Sequence, residues 1–379
     1  MAKYRFGDIC KVLNGRAYKQ NELLASGKYP ILRVGNFFSS DRWYYSDMEL
    51  PEDKYCDYED LLFAWSASFG PKIWDGEKVI YHYHIWKLIP NDDIADKWYL
   101  YYWLRHSVNR LTAGTHGSVM AHMTKGDMEN QSIELPSLQT QRKISSILRT
   151  IDEKIHNNVA INNNLEQQAQ LLFQSWFSNT NRYINNDWHI RKFGEVASFS
   201  QGMQVPISKQ LLFPAHGYER FIRIVDITQP SNQDIRYIKS TDKGKVFASD
   251  IFMIRYGSPG IVARNYEGII ANNLFTIYPT IAELSNDYIY YYLKSNDIKK
   301  YIVQNAVSST MPAINFSTLK NLDIIIPDRI SMQRFTDFSK TVRLIQYNIK
   351  QENQRLAQLR DTLLPKLMSG ELDVSDIDL

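Results

Sequence analysis

Two short acidic segments contain the residues of this chain that could support metal-dependent chemistry. Glu52-Asp53-Lys54 and Asp152-Glu153-Lys154 both match an acid-x-Lys pattern, and a nuclease needs several carboxylates and a lysine around a metal ion. The first segment follows Pro51 in a predicted turn, and the second lies in a predicted long helix. We therefore predict no catalytic residues and no metal site, with a stand-alone metal-dependent nuclease as the less favoured alternative.

The histidines and the lack of cofactor-binding motifs also favour a chain without catalytic or metal sites. His82 and His84 lie on one face of a predicted strand, but no cysteine pair or carboxylate motif completes a set of metal ligands. The sequence has no G-x-x-x-x-G-K-S/T phosphate loop, and it lacks the glycine-rich loop and Asn-Pro-Pro-Tyr/Phe motif of an adenine methyltransferase. We predict a structural histidine pair and no cofactor bound by this chain.

Length and charge set limits on the class of protein. A chain of 379 residues exceeds what one hydrophobic core usually organises, which favours two domains. The net charge of +3 divides into −2 for 1–136, +1 for 137–180, +3 for 181–328 and +1 for 329–379. A nucleic-acid partner would therefore have to be bound through local patches. The two cysteines, Cys10 and Cys56, and the absence of a signal peptide or an apolar span predict a cytoplasmic protein with no membrane partner.

An internal repeat supports two domains. Phe6-Gly7-Asp8 recurs as Phe193-Gly194-Glu195, and Gly15 recurs as Gly202, all at an offset of 187. The aromatic segments WYLYYWLRH and DYIYYYLKS also correspond, and we predict that both are helices buried against a sheet. Short β-rich runs at 29–34, 61–65 and 79–89 are separated by turn residues. Each repeat is therefore predicted to be a mixed, β-rich α/β domain.

Each repeat ends in a long apolar pattern with alternating spacings of three and four, which is typical of a coiled coil. The residues predicted to pair the helices or to dock other subunits are Ile144, Leu148, Ile151, Ile155, Leu165, Leu172, Val342, Ile345, Ile349, Leu356, Leu359 and Leu363. Asn158, Asn162 and Glu352 are polar residues of the same seam, and such residues commonly fix helix register. Two amphipathic helices packed on separate cores are the alternative.

The connectivity predicts the direction of the helices. The first helix leaves the first repeat and the second helix begins at the end of the second repeat, so they pair only if they are antiparallel. The predicted architecture has globular repeats at 1–136 and 181–328, a helix at 137–180, and a helix with a C-terminal tail at 329–379. About 30 paired residues would separate two pseudo-twofold related domains by about 45 Å.

Several segments resemble the specificity subunits of type I restriction-modification systems. They are FGDI, AWSASFGPKIWDGE, IRYGSPGIVARNYEG, LPSLQTQRKI, IPDRISMQRF and LRDTLLPKLMSGELDV. The resemblance implies two target-recognition domains that read the two halves of a bipartite site in double-stranded DNA. It also implies two modification subunits, which methylate adenine with S-adenosylmethionine, and restriction subunits, which use ATP and Mg²⁺.

Candidate DNA-reading residues follow from the chemistry of base edges, because Arg and Lys bind guanine, Asn and Gln bind adenine, and hydroxyl groups bind either. The candidates in the first repeat are Arg33, Ser66, Ser68, Lys72, His84, His116 and Ser118. Those in the second repeat are Arg223, Arg255, Ser258, Asn273, Ser308 and Ser309. A coiled-coil scaffold that links two protein-binding modules without DNA specificity is the other alternative.

Overall fold

The structure, a computed structural model, describes residues 1–38, 42–66, 68–112, 122–177, 187–229, 234–306, 312–374 and 377. Its contacts divide the chain into two compact units. The first unit comprises Met1–Ile155 and Leu356–Leu379, and the second comprises His156–Arg355. Each long helix therefore contributes one part to each unit.

The first unit is a β-rich domain with short helices. Its strands are β1 (Ala2–Arg5), β2 (Cys10–Asn14), β3 (Tyr29–Leu32), β4 (Tyr44–Ser46), β5 (Tyr55–Cys56), β6 (Leu61–Ser66), β7 (Ser68–Ile73), β8 (Val79–Tyr81), β9 (Ile85–Pro90) and β10 (Ser132–Leu135). Its helices are α1 (Phe6–Ile9), α2 (Val34–Phe38), α3 (Lys97–Thr112), α4 (Lys125–Glu129) and the first part of α5 (Leu138–Trp176). The strands form two four-stranded sheets, β2-β9-β6-β7 and β4-β3-β8-β5, and β1 pairs with β10.

The second unit has the same arrangement. Its strands are β11 (His189–Lys192), β12 (Ala197–Gln201), β13 (Tyr218–Ile222), β14 (Arg236–Lys239), β15 (Lys245–Val246), β16 (Ile251–Ile254), β17 (Val262–Ala263), β18 (Gly268–Ile270), β19 (Leu274–Pro279) and β20 (Asp323–Ile326). Its helices are α6 (Phe193–Val196), α7 (Ile224–Thr228), α8 (Asn286–Leu293), α9 (Asn296–Gln304), α10 (Phe316–Lys320) and most of α11, which spans Arg329–Ser369. The sheets are β12-β19-β16-β17, β14-β13-β18-β15 and β11-β20.

The two units match strand for strand, which confirms the predicted repeat. In each, one sheet contains a single parallel pair among antiparallel ones, β3 with β8 and β13 with β18. The aromatic helices α3 and α8 are buried in the main core of their unit, as predicted. Tyr99 and Tyr102 in the first unit, and Tyr288 and Tyr291 in the second, are almost fully buried, so their rings stabilise the core.

Both long helices begin at capped ends. Ser137 Oγ accepts a hydrogen bond from the Thr140 amide, and Asp328 Oδ1 accepts one from the Ser331 amide. These caps satisfy amides that have no partner inside the helix. The buried Gln141 then holds the start of α5, because its Nε2 donates to the carbonyl of Ile94 and its Oε1 accepts from the Asp96 amide.

The helices are antiparallel within each unit, as the connectivity predicts. In the first unit, Ile144 and Leu148 of α5 share a core with Leu364 and Leu367 of α11. In the second unit, Asn158 Nδ2 donates to Glu352 Oε2 at 2.8 Å, and Asn162, one turn later, accepts at its carbonyl from Gln346. The predicted polar seam residues Asn158 and Glu352 therefore contact each other, which fixes the register of the pair.

No helix in the described ranges is long and apolar enough to span a membrane.

Candidate nucleic-acid interface

The two units place different side chains on one main-chain scaffold. The Trp65 amide, at the end of β6, donates to the carbonyl of His84 at 3.1 Å. The Arg255 amide, just after β16, donates to the carbonyl of Asn273 at 2.8 Å in the same way. Trp65 and Arg255 are therefore structural equivalents, and so are the β8–β9 turn (82–84) and the β18–β19 turn (271–273).

A recurring glycine lets the chain pass close to each turn. A Cβ on Gly15 would lie 2.4 Å from the carbonyl oxygen of His82, and one on Gly202 would lie 2.3 Å from that of Ala271. Real Cβ atoms do not approach oxygen so closely, so only glycine fits at these points. The glycine that recurs in the sequence is explained by this close approach.

Aromatic and basic side chains line the turn of the first unit. Trp65 Nε1 donates to the carbonyl of Tyr83 at 2.8 Å, and the Trp65 ring meets the His84 ring edge to face at 5.2 Å. Burial, together with the nearby charges of His84 and Arg33, lowers the pKa of His82 to about 4. Burial and Arg33 also lower the pKa of His84. At neutral pH this turn therefore offers neutral imidazoles beside the cationic Arg33.

The stability of the first unit is expected to decline as pH falls from about 6.5 towards 4. An unfolded histidine has an ordinary pKa of 6.5, whereas folded His82 titrates near 4, so the unfolded state binds more protons in that window. The groups that face His82 are the Tyr83 ring at 4.5 Å, the His84 ring at 4.8 Å, the Tyr18 ring at 6.2 Å and Arg33. Substituting His82→Ala, which copies Ala271 of the second unit, should flatten this part of the pH profile. Thermal unfolding at about pH 7.5, 6 and 4.5 tests this, and parallel profiles for both proteins would contradict it.

The turn of the second unit carries amides and one arginine. Arg255 Nη1 donates to Gln201 Oε1 at 3.0 Å, and Gln201 Nε2 donates to the carbonyl of Asn272 at 2.8 Å. Asn273 is half-buried beside them. The chemistry of base edges predicted Arg255 and Asn273 but not Gln201, although the position of Gln201 directly before the recurring Gly202 was a usable signal.

The equivalent arginines after β3 and β13 are in different electrostatic states. Arg223 Nε donates to Asp226 at 3.1 Å, and its Nη1 donates to Asp234 at 3.0 Å. Arg33 lies 5.1 Å from the Tyr44 ring and forms no ion pair within the described part of the chain. The charge of Arg33 is therefore available to a phosphate or a base, whereas that of Arg223 is compensated within the protein.

The other predicted DNA-reading residues differ in how exposed their side chains are. Ser66 is buried at the end of β6, whereas Ser68, which pairs with it across the hairpin, is exposed. Lys72 forms an ion pair with Asp75 at 3.3 Å. Ser258 is exposed in the loop after β16. His116, Ser118, Ser308 and Ser309 lie outside the described residues.

The acidic segments considered for catalysis have structural partners. Asp53 forms an ion pair with Lys54 at 2.8 Å. Asp152 accepts hydrogen bonds from Arg360 at 2.7 Å and from the Tyr102 hydroxyl at 2.9 Å. Within the described ranges, no group of three or more His, Cys, Asp or Glu side chains is placed to hold a metal ion.

The predicted helix residues fall into three groups by exposure. Ile144, Leu148, Ile151 and Val342 are buried, Ile155, Leu165, Leu172, Ile349, Leu356 and Leu363 are half-buried, and Ile345 and Leu359 are exposed. Buried members stabilise their own unit. The exposed Ile345 and Leu359 do not pack in a seam within their units and remain candidates for docking another subunit.

The chain contains two copies of one scaffold, and the copies present different side chains at matched main-chain positions. This arrangement is that of a protein with paired recognition modules. The family described as "Type I restriction modification DNA specificity domain" matches residues 1–167 and 185–355. The chain therefore belongs to this family and carries two copies of its domain.

Individual relatives agree with this assignment. The type I restriction enzyme MjaIX specificity subunit of Methanocaldococcus jannaschii is 24% identical, over 76% of this chain and 72% of the relative. The EcoBI specificity subunit of Escherichia coli is 20% identical, over 96% and 84%. The crystal structure of a type I restriction-modification system S subunit from M. genitalium has a TM-score of 0.59 at 17% identity and covers 97% of this chain and 95% of its own, which shows a shared fold.

Proposed function

We propose that this chain is the DNA sequence-recognition subunit of a type I restriction-modification complex. Each unit reads one half of a bipartite target in double-stranded DNA. The observation that carries the proposal is the matched scaffold, on which Trp65 and the 82–84 turn of one unit correspond to Arg255 and the 271–273 turn of the other. Specificity comes from side chains that meet base edges, so one scaffold with two sets of side chains suits two different half-sites.

The chain supplies recognition, and its partners supply the chemistry. Two modification subunits bind S-adenosylmethionine and methylate adenine, and restriction subunits bind ATP and Mg²⁺. Support comes from relatives named specificity subunits and from a sequence without the corresponding cofactor motifs. Exposed apolar residues on the long helices, such as Ile161 and Ile345, provide surface for those subunits.

Exchanging residues 1–136 for the first recognition domain of another specificity subunit is expected to change one half-site and preserve the other. The reason is that each unit has its own sheets, core and strand-end turn. The measurement is a map of methylated adenines in cells that express the chimaera with the modification subunits. A map in which both half-sites change would contradict independent reading.

The alternatives give different results in the same system. A protein scaffold without DNA specificity would leave no chain-dependent pattern of methylation and no sequence-specific retention of DNA in a salt series. A stand-alone nuclease would cut DNA as the purified chain with Mg²⁺. We expect specific retention only in the complex, and neither cutting nor methylation by the isolated chain.

A further inference from the structure

Arg255 of the second unit is held in place without losing its charge. Its guanidinium lies 4.9 Å from the Phe316 ring and 5.0 Å from the Tyr256 ring, and its Nη1 donates to Gln201 at 3.0 Å. Aromatic rings and a neutral amide orient an arginine but do not neutralise it. The side chain is therefore rigid and still cationic.

Gln201 is itself fixed at both ends of its amide group. Its Nε2 donates to the carbonyl of Asn272 at 2.8 Å while its Oε1 accepts from Arg255. Turning the amide over would set its nitrogen against the guanidinium and its oxygen against the carbonyl, so both hydrogen bonds would be lost. Gln201 thus links the β18–β19 turn to Arg255.

Two other arginines of the second unit form ion pairs with carboxylates. Arg223 is paired with Asp226 and Asp234, and Arg264 with Asp287. Arg255 has no ion pair within the described residues. It differs from these arginines because no carboxylate among the described residues compensates its charge, and it lies directly after strand β16.

The geometry limits which edge of Arg255 can meet a ligand. Its Nε is buried and has no hydrogen-bond partner among the described residues, and Nη1 uses one of its two N–H groups on Gln201, so the second N–H of Nη1 and those of Nη2 remain for a ligand. Two parallel N–H groups on one planar edge match the O6 and N7 acceptors of guanine in the major groove.

We infer that Arg255 reads a guanine in the half-site of the second unit, with Gln201 as its positioning residue. This rests on the proposed function and specifies the base that one side chain recognises. The first unit has Trp65 at the equivalent position, and its indole N–H already donates to the carbonyl of Tyr83. The first unit therefore has no counterpart of the Arg255 contact at this position.

The test uses the complex of the full chain with its modification subunits and duplexes that contain the site found by methylation mapping. The half-site of the second unit is the one that survives exchange of residues 1–136. Each guanine in it is replaced in turn by 7-deazaguanine, which removes the N7 acceptor and keeps base pairing. For the unsubstituted protein, one replacement should weaken binding at least about fivefold.

Two variants assign that effect to the inferred residues. Arg255→Lys keeps the charge but loses the planar fork, so the same replacement should cause no further weakening. Gln201→Glu places a carboxylate against Arg255, and it should also abolish the sensitivity. The control is Arg191→Lys. Arg191 lies on a different sheet from Gln201 and pairs with the exposed Glu195, so this variant should keep the full sensitivity to 7-deazaguanine.

The inference is overturned if this half-site contains no guanine, or if no 7-deazaguanine weakens binding by the unsubstituted protein. It is equally overturned if the base replacement weakens Arg255→Lys and the unsubstituted protein by the same factor. Failure of the proposed function is a separate result, in which the unsubstituted complex shows no chain-dependent methylation or specific binding at all.

Discussion

Substituting Asp287→Ala is expected to lower the free energy of unfolding of the second unit by about 3–5 kcal/mol. Asp287 lies 2.8 Å from Arg264 and 3.2 Å from Arg343, and all three side chains are largely buried. Arg264 cannot move out to water, because its guanidinium lies 4.0 Å from the Tyr290 ring and 4.9 Å from the Tyr291 ring. Removing the carboxylate would leave buried positive charge with too little compensation.

Urea unfolding of the full chain, combined with hydrogen exchange at the amides of α8, measures this loss and locates it in the second unit. The control Glu195→Ala removes an exposed partner of Arg191 and should cost less than about 1 kcal/mol. Glu166 lies 3.5 Å from Arg264. If Asp287→Ala lowers the free energy of unfolding by no more than the control does, Glu166 alone compensates the charge of Arg264.

Substituting Gly202→Ala is expected to weaken specific DNA binding by the complex about 100-fold or more. The added Cβ would lie 2.3 Å from the carbonyl oxygen of Ala271 and 2.4 Å from that of Ile270, so the backbone of the turn must move. That movement shifts Gln201 and the turn together, and each lost base contact costs about 1–3 kcal/mol. Binding of a duplex with the mapped site, compared with an unrelated duplex, is the measurement.

Two further glycine variants make this result specific. Gly15→Ala should have the same effect through the first unit, because its Cβ would meet the carbonyl of His82 at 2.4 Å. Gly126→Ala, whose Cβ would have only the Thr124 hydroxyl at 3.9 Å nearby, should bind DNA normally. Normal binding by Gly202→Ala in a folded complex would mean that the β18–β19 turn is not at the DNA.

Exposure of the predicted helix residues shows where a heptad pattern stops being reliable. Val342 is buried, but Ile345 and Leu359 are exposed, and Leu364 is more deeply buried than the predicted Leu363, which packs against the same core. An α-helix has 3.6 residues per turn, so the face that packs on a core drifts from a strict repeat of 3.5. Over a helix of 41 residues this drift moves the buried face by one position.

The sequence by itself determined the features that depend on local pattern. The repeat, the buried aromatic helices, the antiparallel direction of the long helices and the polar seam positions of Asn158 and Glu352 all follow from spacing, residue type and connectivity. The recurrence of Gly15 as Gly202 was also visible in the sequence. The structure gives its reason, since only glycine tolerates the close approach of the chain to the turn in both units.

Only the tertiary structure decided which side chains are free to recognise a ligand. The sequence repeat aligns Asp60 with Asp250 at an offset of 190, which already pairs Trp65 with Arg255, but it does not show what either side chain contacts. Whether an arginine keeps its charge depends on partners distant in the sequence, such as Gln201 for Arg255, 54 residues away. Local periodicity carries no information about such contacts, because the folded sheets bring these residues together.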